Sequence, residues 1–430
     1  MHVTSPPETT APLLLTEIGS LEVIPPGPIP GPAMATAGTT LTGAALLVEH
    51  GRIAWFGPAA AAPHPPGVRV VSVHGGTVIP GLIDAHTHIP FAGDRADEFA
   101  RRLAGESYLD IMQAGGGIRT TMRAVRAATL DELVAENELR LRAMLADGVT
   151  TVECKSGYGL DPEHELKQLL ATAALAARVP LDLVPTYLAA HAVPPEYDGR
   201  ADEYIDAVSA PELLKRIAGE RLAVFCDVFC DRGAFDVELA RRMLTRAAAA
   251  GLRPKLHADE LAQIGASRLA AELRAVSVDH LEHVDDGALT ALRAAGTVAM
   301  LLPGTSFFLG IAHAPARRLL EAGLPVAIAT DYNPGSCMIA SLPLVMQIAC
   351  CQLRLTPREV LVACTANAAA AVGRADSAGA IAPGYAADLV VLAAPSLNAW
   401  FYEVGRTRVA AVIRRGAVVS GALAPVATGV

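Results

Sequence analysis

Apolar runs of three to eight residues recur through the middle of the chain, at 78–83, 149–154, 181–188, 223–229, 254–256, 276–278, 298–302 and 326–329. Most gaps between them hold Ala-, Leu- and Arg-rich segments with helical spacing, such as 130–145 and 236–250. Strand and helix alternating eight times predict an α/β fold, a (β/α)8 TIM-type barrel spanning 78–380. A doubly wound open sheet is the competing architecture. A late helix is expected from Thr356, where Thr supplies the N-cap, Pro357 the first turn and Glu359 a capping box.

The flanks have a different texture. Short β-type runs occur at 21–24, 45–48, 52–56 and 68–71, with a turn at His50-Gly51. The other end repeats that texture at 388–392, 409–413 and 417–419, with a turn at Arg415-Gly416. Neither piece makes a convincing domain alone. Together, 13–77 and 381–430 predict a small β-sandwich built from both chain ends, preceded by a disordered extension over 1–12.

Composition narrows the function classes. With 52% hydrophobic residues in 430, a large core is available, and the net charge of −9 argues against nucleic acid or an anionic membrane as partner. The nearest approach to a membrane span, 298–312, is broken by Pro303, Gly304 and Gly310. The first 32 residues carry no Lys or Arg, so a basic signal-peptide start is not indicated. Seven cysteines without a regular framework suit a reducing compartment. These readings place the chain in the cytoplasm.

Chemistry enters at the run ends, where barrel enzymes keep their sites. In Asp84-Ala85-His86-Thr87-His88 the two histidines are two apart, so an extended backbone points both imidazoles the same way. The third run ends at His191, the fifth at His257-Ala258-Asp259-Glu260, the sixth at Asp279-His280 and the eighth at Asp331. His86, His88, His257 and Asp331 form an economical ligand set for one metal ion with a position left for water, whose pKa such a site brings to about 7. Zinc, iron and manganese all accept these donors. Asp331 is a candidate ligand and proton acceptor, Glu260 a proton shuttle or helix-start carboxylate, and His280 a carbonyl polariser or a further ligand. Arg95 suits a substrate carboxylate, with a surface ion pair to Asp94, Asp97 or Glu98 as the plain alternative. Tyr158 sits between glycines, and Gly115-Gly116-Gly117 reads as a flap rather than a phosphate loop. Asp227 and Asp231 read as solvated or structural.

These stretches resemble the imidazolonepropionase family of histidine degradation, within the amidohydrolase superfamily. The resemblance rests on the segment from Pro80 to His88, Ala114 to Ile118, Lys155-Ser156-Gly157-Tyr158-Gly159-Leu160, His191 to Tyr197, Lys255 to Glu260, Asp279 to His283, and Ala329 to Ser336. It implies a metal-dependent barrel with a β-sandwich, hydrolysing 4-imidazolone-5-propanoate to N-formimino-L-glutamate. By motif it implies one zinc or iron ion on His86, His88, His257 and Asp331. Arg95, Tyr158, His191, Glu260, Asn333, Gly335 and Ser336 would contact substrate or product, and His280 would stand beside the reacting carbonyl. Lys155 need not be a ligand, since the family does without a lysine-carbamate bridge. A small carboxylated substrate and a possible homodimer follow from the same source. Position 260 is Glu where some members have Gln, leaving open whether it acts as an acid or only as a hydrogen-bond partner. Cys337 stands where small hydroxyl residues are common, and the Pro-rich start has no counterpart. Two other readings compete: another cyclic amidohydrolase or a deaminase of guanine or cytosine type, and a catalytically inert barrel serving as an assembly or binding protein.

Overall fold

The computed structural model describes residues 11–106 and 115–426. Most of the stretch read as a disordered extension lies outside these residues, as does part of the segment before the glycine flap. Eight parallel strands pair in chain order: Leu82–Asp84, Val149–Lys155, Asp182–Ala190, Phe225–Cys230, Leu256–Ala258, Ser277–His280, Val298–Leu301 and Val326–Ile328. The eighth returns to the first through residues just past both strands. The Asp331 N–H donates to the His86 carbonyl and the His88 N–H to the Tyr332 carbonyl, each at 3.0 Å. The expected (β/α)8 barrel is therefore present, closed, and the open-sheet alternative falls away.

The strands read as unbroken apolar runs because both faces are covered. Every residue of Val149–Lys155 is buried. Side chains alternate between the helix layer and the barrel axis. Near the strand starts, Ile83, Val184, Phe225, Val298, Met300 and Ala327 pack with Ala368 and Val372 into one cluster that plugs the barrel floor. Helices fall where the 3.6-residue pattern put them, at Leu130–Ala146 and Val237–Ala249. The Thr356 cap is as expected: its hydroxyl accepts from the Glu359 N–H, and the Glu359 carboxylate accepts from the Thr356 N–H at 2.7 Å.

The second sheet draws strands from both ends of the chain. Thr77–Pro80 pairs antiparallel with Leu389–Leu392, and Leu13–Val23 sits between Thr77–Pro80 and Thr39–Glu49. Leu389, Val391 and Ile413 face this sheet's own core with Leu13, Leu15 and Leu46. Val390, Leu392 and Val412, on the opposite face, join the barrel's outer core. Both faces are covered, which explains why these strands also read as continuous apolar runs.

One reading needs correction. The run 78–83 is not a single strand. It divides at Gly81, whose N–H donates to the Asp388 carbonyl at 2.7 Å. A Cβ there would lie 2.4 Å from Thr150 Oγ1, so only glycine lets the chain pass from one sheet to the other. Among the described residues no helix is long and apolar enough to cross a membrane.

Phe225 is fully buried in the floor plug. Phe225→Ala should cost about 3–5 kcal/mol, read as a lowered melting temperature. An unchanged melting temperature would show that the plug is not what holds the floor.

Candidate active site

The first strand carries its extended backbone into His86 and His88, the fifth contributes His257, and Asp331 follows the eighth. Ligand-type nitrogens of the three histidines all lie within 4.8 Å of one another. Asp331 Oδ1 is 3.1 Å from His88 Nε2 and 3.5 Å from His86 Nε2. All four residues are at most 3% exposed. Asp331 adopts a left-handed backbone (φ 55°), held by its N–H bond to His86 and by Thr305, whose hydroxyl donates to Oδ2 at 2.6 Å. Strained non-glycine backbone of this kind persists where surroundings fix it.

Electrostatics favour the ligand forms of His86, His88 and Asp331. Burial, reinforced by Lys155 and the neighbouring imidazoles, holds His86 well below the usual histidine range. Burial also lowers His88, against the pull of Asp331. Asp331 drops to about 2: burial opposes its charge, but His88, His280 and Thr305 favour it. His86 Nε2, His257 Nε2 and Asp331 Oδ1 are buried with no hydrogen-bond partner. Lone pairs aimed at a common point without donors carry a desolvation cost that a cation removes. Three imidazoles and one carboxylate therefore fit a catalytic divalent metal ion.

The loop after the second strand forms one wall. Glu165 accepts the N–H groups of Gly157 and Leu160 at 3.0 and 2.8 Å, and Gln168 accepts those of Tyr158 and Gly159 at 3.0 and 2.8 Å. The loop is thus fastened to the following helix, Pro162–Ala176. Gly157 (φ 113°) serves a close approach to His191, since a Cβ would lie 3.0 Å from His191 Nδ1. That nitrogen pairs with the Gly157 carbonyl at 2.9 Å, so it carries the proton and Nε2 is left as an acceptor. The His191 ring stacks on His88 at 4.9 Å, and Tyr158 lies 5.3 Å from His191.

On the other side stand two carboxyl groups. Glu260 Oε2 is 3.6 Å from His280 Nε2, and Glu282 Oε2 is 4.0 Å from His280 Nδ1. Burial, with Glu282, Asp331 and Asp231 nearby, pushes Glu260 well above the carboxylate range, and burial raises Glu282 to about 8. Burial takes His280 down to about 3, opposed by Asp331. His280 is therefore neutral and flanked by carboxylic acids.

Arg95 combines its two readings. Its Nε donates to Glu98 at 2.8 Å, the expected ion pair, yet it also lines a cavity of about 360 Å³ with Phe99, Phe308, Gly335 and Met338. Its guanidinium presses on Gly335 so closely that a Cβ there would meet Nη1 at 2.4 Å. Glu98 also accepts from the Gly117 N–H and the Thr120 hydroxyl, so the glycine flap is tethered at this end. Asn333 spends its side chain on its own turn: Oδ1 accepts from the Gly335 and Ser336 N–H groups at 2.8 Å, and Nδ2 donates to the Asp331 carbonyl at 2.7 Å. Cys337 is buried, its thiol against the Thr330 carbonyl at 3.2 Å.

Asp227 and Asp231, read as solvated or structural, are both buried and paired. Asp227 is not solvated: it is fully buried, 3.0 Å from His257 Nδ1 and 2.7 Å from Lys155 Nζ. Asp231 is structural but buried, accepting the N–H groups of Glu260, Leu261 and Ala262. Thr305, Glu282, Glu153 and Lys255 were not picked out. For Asp227 and Lys255 a signal existed, since each interrupts an apolar strand, and Lys255 lies two before His257.

A closed parallel barrel with these donors at its strand ends is the frame of an amidohydrolase. The amidohydrolase family model matches residues 77–419, and the chain belongs to that family. Among curated relatives it is similar to the imidazolonepropionase of Chloroflexus aggregans, 48% identical over 92% of this chain and 95% of that one. It is likewise similar to the imidazolonepropionase of Symbiobacterium thermophilum, 46% identical over 95% and 97%. Solved structures share the fold. Escherichia coli guanine deaminase has a TM-score of 0.72 at 16% identity, covering 96% of this chain and 99% of that one. An adenosine deaminase from Xanthomonas campestris with bound zinc has a TM-score of 0.70 at 20% identity, covering 96% and 93%.

Gln168→Leu would leave the Tyr158 and Gly159 N–H groups without their acceptor. The expected cost is about 2–4 kcal/mol, measured as a lowered melting temperature. Wild-type stability would mean that the loop does not depend on this amide.

Proposed function

We propose that the chain hydrolyses the cyclic amide of 4-imidazolone-5-propanoate to N-formimino-L-glutamate, with one zinc or iron ion held by His86, His88, His257 and Asp331. The carrying observation is the cluster of His86, His88 and His257 with Asp331 3.1 Å from His88; Arg95, on the loop after the first strand, lines a cavity with Gly335, four residues beyond Asp331. The relatives' names support the substrate. When bound, the metal supplies Lewis acidity and makes hydroxide available at neutral pH.

The chain's own groups do the rest. Arg95 holds the propanoate carboxylate with the guanidinium nitrogens that Glu98 leaves over, near Gly335 and Ser336. Tyr158 and the His191 Nε2 acceptor orient the ring, and Asn333 shapes the turn that carries Gly335 and Ser336. Water adds to the ring carbonyl carbon while Asp331 takes its proton. His280 donates a hydrogen bond to the carbonyl oxygen as negative charge builds there. Glu260, in its acid form, protonates the ring nitrogen as the C–N bond breaks. The carbonyl carbon, still bonded to the ring carbon that bears the propanoate, becomes the new carboxylate, and the released nitrogen becomes the terminal nitrogen of the formimino group. Such an enzyme of small-molecule metabolism, with all seven cysteines free, suits the cytoplasm.

The direct test follows loss of imidazolone absorbance with purified, metal-replete protein. Turnover is expected, and ammonia release from purines or pyrimidines without it would favour a deaminase. Asp331→Asn should lower kcat by about 100- to 10,000-fold while circular dichroism stays unchanged. Near-normal turnover would remove Asp331 from the chemistry. Arg95→Lys should raise KM by about 10-fold with a smaller effect on kcat. An unchanged KM would return Arg95 to its ion pair alone.

A further inference from the structure

Directly below the imidazoles lies a second tier of buried charge. Glu153 and Lys155 come from the second strand, Asp227 from the fourth, Lys255 from the residue just before the fifth and Asp279 from the sixth, all fully buried. Asp279 Oδ2 lies 2.7 Å from His86 Nδ1, and Asp227 Oδ2 lies 3.0 Å from His257 Nδ1. Lys155 Nζ touches the same two oxygens, at 2.7 Å on Asp227 and 3.6 Å on Asp279, and reaches Glu153 at 3.2 Å. Lys255 Nζ pairs with the other Glu153 oxygen at 2.8 Å and rests 4.7 Å above the Phe225 ring.

The consequence concerns tautomers. A carboxylate against Nδ1 requires that nitrogen to carry the proton, which leaves Nε2 as the lone pair. His86 shows this arrangement as a hydrogen bond at 2.7 Å, and at His257 the Asp227 carboxylate stands 3.0 Å from Nδ1 without hydrogen-bond alignment. Their two carboxylates are both fully buried and repel each other unless a cation lies between them. Asp227, His257 and Asp279 also form a group with ligand atoms within 4.8 Å of one another, a possible metal site in itself. Lys155 brings an ammonium into that group.

We propose that Lys155 is a positioning residue, a built-in cation that pins Asp227 and Asp279 against the two imidazoles and thereby sets the affinity of the single metal site above. The inference rests on that metal-site reading.

The test is zinc titration of the metal-free protein against a chromophoric chelator, for the wild type, Lys155→Met and Asp279→Asn. Circular dichroism and melting temperature are recorded on each. The wild type should bind one equivalent tightly. Lys155→Met should bind ~10- to 100-fold more weakly while keeping the native spectrum. Asp279→Asn, which still accepts from His86 Nδ1 but no longer attracts the ammonium, should also weaken binding. Affinity within about 2-fold of wild type in a folded Lys155→Met protein overturns the proposal. Should that variant fail to fold, Asp279→Asn decides by the same margin. A wild type that binds no zinc tightly refutes the metal site itself, a different failure.

Discussion

Burying ionisable groups inside a barrel is tolerable only when each finds its partner on another strand, and this requirement organises the whole molecule. Along each strand every second side chain faces the axis. At the floor those side chains are apolar. Above them stand Glu153, Lys155, Asp227, Lys255 and Asp279, and above these the imidazoles and Asp331. An unpaired charge at that depth would cost several kcal/mol. Here each is met by an opposite charge or an imidazole within 3.6 Å. The partners lie far apart in sequence, 193 residues in the case of His86 and Asp279. Closing the barrel and completing the charge network are therefore the same event.

The loops above the barrel are fixed by a different device. Backbone N–H groups that a sharp loop cannot pair internally are taken by single side chains from neighbouring segments. Glu165 and Gln168 hold the Tyr158 loop, Asp231 holds the Glu260 loop, and Asn333 holds the turn after Asp331. The groups assigned to substrate thus sit on backbone whose polar atoms are already satisfied. Rigidity of this sort favours a site preorganised for developing charge.

The strand-end histidines were legible because barrel geometry and the two-residue spacing of His86 and His88 both constrain them. The Thr356 cap was legible because its signal is local. What escaped was non-local. Nothing near Asp227 in the chain reveals Lys155 or His257, so a buried tether could not be told from a solvated acid. The split of 78–83 escaped for a similar reason: Gly81 is required by Thr150, a contact sequence order does not display. Arg95 was legible as a guanidinium with two possible uses, and the structure gives it both neighbours, Glu98 and the cavity. Asn333 was picked out as a contact residue through its motif, yet its amide is engaged in its own turn.

Metal content and imidazolone propanoate turnover, measured on one preparation as metal is removed by chelator and restored, bear most directly on the converging donor set. About one metal ion per chain is expected, with activity falling and returning in proportion to it. Full turnover by protein stripped of metal would contradict the account.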